Sequence, residues 1–145
     1  MVLNRPGARH GRQRWALALV HVAALTPLAV LLYDWATGHL SVNPIRDITL
    51  RTGRYALVTL ILSLACTPAY LVSRFNPLLR TRRALGLYAF MYAGLHLLTF
   101  VGLDFGFDLG LIASELAQRP FIQVGLLAFL ILVPLAITSS RFCLK

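Results

Sequence analysis

Charge is what this sequence has least of, and its signs are unbalanced: 13% of the 145 residues are charged, with five acids against fourteen bases. A soluble domain of this size would carry about a quarter charged residues, so these side chains are too few to cover a water-facing surface. Cysteine is nearly absent as well. Cys66 falls inside an apolar run and Cys143 lies near the last residue, with no CxxC or metal-ligand spacing, which argues against a disulfide or a zinc site. There is no repeat, no low-complexity tract and no soluble domain, and no catalytic acid, base or nucleophile stands out. The net charge of +9 invites a nucleic-acid reading. The basic residues, however, sit at the ends of apolar segments, with no aromatic-studded groove or recognition motif between them, and they read as topology signals instead.

What the chain does have is apolar length: 58% of it is hydrophobic. A bilayer core about 30 Å thick takes about 20 apolar residues as a helix, and four stretches qualify, at about 15–35, 55–72, 85–103 and 121–137. The expected fold is an all-α, polytopic transmembrane helix bundle over 15–138, with a basic tail at 1–14 and a short end at 139–145. Trp15 and Trp35 bracket the first span. At 1.5 Å per residue they stand about 30 Å apart, which suits aromatic anchors at the two interfaces. Arg5, Arg9, Arg12 and Arg14 before an apolar run also resemble a signal peptide, but the run is too long and no A-x-A site follows, so retention is expected. The connections are short, ordered-looking segments such as SVNPIRDITLRTG.

The loops set the expected orientation. The tail, the Arg74, Arg80, Arg82 and Arg83 connection, and the Arg141 and Lys145 end hold ten of the fourteen bases and no acids. The other side carries Arg46, Arg51, Arg54 and Arg119 with every acid: Asp34, Asp47, Asp104, Asp108 and Glu115. The positive-inside rule then puts both termini in the cytoplasm.

The third span carries His96, and a histidine inside a membrane is expensive enough to mark a site. Gly86, Ala89, Ala93 and His96 follow i, i+3, i+7, i+10, and Ala56, Thr59, Ser63 and Cys66 match that spacing in the second span. Such small-residue stripes most simply let helices pack closely; they also leave space for a flat macrocycle. For His96 two readings stand level on the residues alone, an interhelical hydrogen bond to Thr59 or Ser63 and metal ligation. His21 lies about 9 Å from the inner boundary against about 17 Å for His96, so the two make a poor axial pair. His10, in the tail, and His39, at the outer interface, read as solvated.

The block LLRTRRALGLYAFMYAGLHLLTF, with NPIRDITLRTGRYAL before it and RPFIQVGLLAFLILVPLAITS after it, resembles the haem-binding membrane subunits of bacterial periplasmic protein-methionine-sulfoxide reductase systems. These subunits fall within the wider ferric-reductase-like transmembrane group. The likeness covers about 43–139. It implies an inner-membrane electron-transfer subunit that binds haem b and FMN, receives electrons from a cytoplasmic flavin reductase and passes them to a periplasmic molybdopterin-containing enzyme that repairs oxidised methionines. His96 matches the family's haem-ligand position. Arg51 and Arg54 are candidates for haem propionates, with interface anchoring the simpler role. Arg80, Arg82 and Arg83 are candidates for a flavin phosphate or an acidic reductase face, with topology the simpler role. Members of the group continue past ITS into a basic stretch and further helices whose histidines complete haem ligation, where this sequence turns to SRFCLK. About four spans of a six-helix bundle are therefore expected, with weak or no haem retention and no electron delivery by these residues alone. The competing function is a non-redox membrane scaffold or inactive relative.

Overall fold

A computed structural model describes residues 6–74 and 77–141, with side chains for 15–74 and 77–138. Arg5, Cys143 and Lys145 lie outside the described residues, as do the side chains of Arg9, His10, Arg12, Arg14 and Arg141. The described chain is all-helical: α1 (Pro6–Thr37), α2 (Pro44–Ser73), α3 (Pro77–Leu98) running on as a π-helical turn (Thr99–Asp104), α4 (Leu109–Gln118) and α5 (Pro120–Arg141). Four segments are long and apolar enough to cross a membrane: Trp15–Thr37, Pro44–Ser73, Pro77–Asp104 and Pro120–Thr138.

The second helix begins some eleven residues before the stretch that hydropathy marks. Asn43 caps it, its side chain accepting the Arg46 N–H at 3.3 Å, Pro44 opens the first turn without a wasted donor, and Asp47 sits where the helix dipole favours an anion. The segment that reads as a connection is thus the first three turns of α2, which carry Arg51 and Arg54 inside the helix. Of its charges, Asp47 and Arg51 are paired, while Arg46 and Arg54 stand exposed. The Arg51 guanidinium meets the Asp34 carboxylate of α1 at 2.6 Å and that of Asp47, one turn back, at 3.1 Å. At the other end Arg74 takes up a left-handed conformation (φ 50°) and its N–H closes on the Tyr70 carbonyl. The connection between the third and fourth spans holds α4, capped by the Asp108 carboxylate on the N–H groups of Gly110 and Leu111; the hydropathy pattern does not mark this helix.

The most extensive interface joins α2 to α3, while α1 and α5 each lean on α3. The interior is the reverse of a soluble core: Thr52, Thr59, Ser63, Cys66, Thr81 and Ala89 are buried, while Leu19, Val22, Leu57, Leu64, Val124 and Leu127 face outward. In lipid, burying leucine gains little, so small residues that bring backbones together take the inside positions. Both stripes do this work. A Cβ on Gly86 would sit 3.4 Å from the Ser63 hydroxyl, Ser63 donates to the Arg82 carbonyl at 3.0 Å, and Cys66 lies 3.9 Å from the Thr81 hydroxyl. Two larger side chains, Leu31 and Tyr92, join them. Tyr92 is fully buried and donates across the bundle to the Ala24 carbonyl of α1. Trp15 and Trp35 are exposed, as interface anchors should be.

Candidate functional site

His96 occupies the last full turn of α3, half-buried against the N-terminal part of α2. Its Nδ1 lies 2.8 Å from the Thr49 carbonyl oxygen. A carbonyl only accepts, so Nδ1 carries the proton and donates, which leaves Nε2 with its lone pair. Among the described residues Nε2 has no hydrogen-bond partner, and it is not among the sealed, unpaired polar atoms. This is how ligating histidines are commonly held: one nitrogen is fixed by a backbone carbonyl and the other is presented to a metal.

The ring reaches Thr49 because nothing projects from α2 at position 53. A Cβ built on Gly53 would stand 3.0 Å from both Cε1 and Nδ1 of His96. Thr49 and Gly53 are one turn apart on α2, so the carbonyl and the bare backbone together form a ledge under the imidazole. From the other side, the Thr99 hydroxyl donates to the His96 carbonyl at 2.8 Å, at the point where α3 widens into its π-helical turn. The Thr49 and Thr99 hydroxyls approach to 3.5 Å, but each has a better acceptor, the carbonyls of Ile45 and His96, so that contact is packing only.

The interhelical hydrogen bond expected for His96 is therefore present, on a different partner. Thr59 donates to the Tyr55 carbonyl in its own helix and Ser63 to Arg82, so neither reaches the histidine. Bonding and ligation are not exclusive either, since they use different nitrogens. His21 is elsewhere: its Nδ1 pairs with the Tyr88 hydroxyl at 2.7 Å, and Tyr88 precedes His96 by about 12 Å of helix. His39 is exposed beside the Thr37 hydroxyl. Arg51 spends its guanidinium on Asp34 and Asp47, whereas Arg54 is exposed and has no carboxylate partner among the described residues. Arg80, Arg82 and Arg83 stand exposed on the opening turns of α3.

No group of three or more His, Cys, Asp or Glu side chains that could hold an ion occurs among the described residues. A lone oriented imidazole does not make a protein-only metal site, but it fits a metal whose equatorial positions are filled by a macrocycle. A cavity of about 490 Å³ between α1, α2 and α3, bounded by Ala16, Ala23, Val58, Thr81, Leu85 and Tyr92, is almost wholly apolar and does not include His96. Cys66 is the one thiol in its lining.

The described residues thus form a helical bundle with four segments long and apolar enough to span a membrane, and the third carries a histidine whose Nε2 is unpaired. Residues 52–145 match the family of the ferric reductase like transmembrane component, and the chain belongs to that family. Among curated proteins it is 45% identical over 130 residues to the protein-methionine-sulfoxide reductase heme-binding subunit MsrQ of Rhodospirillum rubrum, covering 90% of this chain and 62% of that one. The MsrQ of Herminiimonas arsenicoxydans is 44% identical over 128 residues, 88% of this chain and 59% of the relative; that of Caulobacter vibrioides is 42% identical over 123 residues, 85% and 59%. The chain thus spans about three fifths of the length of these relatives. No solved structure matches it.

Proposed function

We propose that this chain is the haem-binding, electron-carrying membrane part of a protein-methionine-sulfoxide reductase system, set in a bacterial inner membrane. Electrons would come from a cytoplasmic flavin reductase by way of FMN and leave for a periplasmic molybdopterin-containing catalytic subunit. The observation that carries the reading is His96: its proton is committed to Thr49, its Nε2 is unpaired, and the named relatives bind haem. A haem b iron held by histidine moves one electron at a time, so the protein need supply no acid, base or nucleophile.

The chain's own residues would then have simple duties. His96 would hold the iron through Nε2. Thr49 and Gly53 would orient the ring, and the apolar flanks of α2 and α3 would keep water away. Arg54 is the better candidate of the two outer arginines for a haem propionate, because Arg51 already bridges two carboxylates. Arg80, Arg82 and Arg83, exposed at the start of α3, would meet a flavin phosphate or an acidic reductase face. Four spans return the chain to its starting side, and the basic bias of the inner segments favours cytoplasmic termini.

The test is an optical spectrum of the detergent-purified chain joined to the C-terminal remainder of the Rhodospirillum rubrum relative, oxidised and then reduced with dithionite. A Soret band that shifts on reduction, and is lost in His96→Ala, is the expected result. No Soret band after expression with ample haem would return the chain to the scaffold reading.

A further inference from the structure

Every duty so far assigned to His96 depends on a residue with no side chain. We infer that Gly53 is a positioning residue for His96: its bare backbone lets the imidazole lie on α2, so that Nδ1–H reaches the Thr49 carbonyl and Nε2 is left to bind a haem iron. The haem half of this statement rests on the function proposed above; the orientation and tautomer of the ring do not.

Two observations meet here. One is the 2.8 Å bond from Nδ1 to a backbone oxygen, which fixes the tautomer. The other is the 3.0 Å that would separate a Cβ at position 53 from two ring atoms, Cε1 and Nδ1. Both ring atoms belong to a side chain already pinned at Nδ1, and the opposing atom would be the first atom of any side chain, so rotation at position 53 cannot relieve the clash. The ring must give by a few tenths of an ångström. That displacement stretches and tilts the bond from Nδ1 to the Thr49 carbonyl, which weakens the preference for a proton on Nδ1. Alanine is otherwise the better residue in a helix than glycine, so a harmful Gly53→Ala would point to the ring rather than to helix propensity. The neighbouring Gly94 supplies the control, because a Cβ there meets nothing within 4 Å.

The experiment uses the full chain in lipid bilayers, with three readouts. The first is the ¹⁵N spectrum of labelled histidine in the haem-free chain at pH 8, with the His96 signals assigned by their loss in His96→Ala. The expected spectrum has a protonated Nδ1 and an unprotonated Nε2 in the native chain and in Gly94→Ala, and a mixed population in Gly53→Ala. The second is haem affinity, which should fall about 10–100-fold in Gly53→Ala, as when the residue orienting a metal ligand is lost, and stay level in Gly94→Ala. The third is the midpoint potential of whatever haem remains, which should shift in Gly53→Ala alone. A proton on Nε2 in the native chain overturns the inference. So does a Gly53→Ala chain with native tautomer, affinity and potential. If His96→Ala kept all its haem, the ligand reading would fall instead, while the tautomer measurement would still judge Gly53. Should Gly53→Ala fail to fold, the native tautomer decides.

Discussion

At the scale of single residues, the two nitrogens of His96 differ: Nδ1 is bonded to the Thr49 carbonyl and Nε2 is unpaired. His96→Ala should remove most of the bound haem while leaving membrane insertion intact, because alanine takes away a ligand without adding a polar burden; haem per protein from the reduced-minus-oxidised spectrum measures this. His21→Ala, acting on a side chain paired with Tyr88 well down the helix, should retain haem in the same assay. Tyr92→Phe separates packing from bonding. The ring stays buried and only the bond to the Ala24 carbonyl goes, so thermal unfolding in detergent should show a loss of about 0.6 kcal/mol, typical of one interhelical hydrogen bond in a membrane. His96 was legible in the sequence because a histidine inside an apolar run stands out against its neighbours. Thr49 and Gly53 were not: what Thr49 offers is a backbone oxygen, identical for every residue type, and what Gly53 offers is an absence that hydropathy reads as neutral.

Among the helices, α2 is the element whose sequence pattern and structure diverge most. Its apolar run begins near residue 55, but Asn43, Pro44 and the Asp47–Arg51 pair extend it back by three turns. The cap signal was there to be read, an Asn-Pro step with an acid three residues on. The decisive contact was not, since Asp34 belongs to another helix and only the fold brings it to Arg51. Arg51→Ala should leave two carboxylates facing each other across α1 and α2. With these side chains 32% and 22% exposed, water screens them, and the expected loss is below about 1 kcal/mol in detergent unfolding. Haem retention distinguishes the two roles of this arginine: unchanged retention assigns it to clamping α1 on α2, and a marked fall assigns it to a propionate. On α3, where the helix packs against its neighbours, Ala89 is 1% exposed. Ala89→Leu should overpack that seam by about 1–3 kcal/mol, and the same unfolding assay reads it.

For the whole molecule, the number of spans, their all-helical character and the outward-facing leucines followed from hydropathy, because the bilayer asks little more of a helix than length and apolarity. How the spans lean on one another did not follow, since small residues occur on more than one face. Reporter fusions after Gly38 and Gly110 should read as periplasmic and those after Pro77 and Lys145 as cytoplasmic; a periplasmic signal at Pro77 would reverse the orientation drawn from the arginines. The ledge on α2 also has a place in time. A ribosome delivers this chain from its N-terminus, so Thr49 and Gly53 are made before His96, and the Asp34–Arg51 bridge has both its halves by then. The histidine emerges to a seat that is already there. A ring docked there has its tautomer set by α2 itself, with no cofactor needed to choose it.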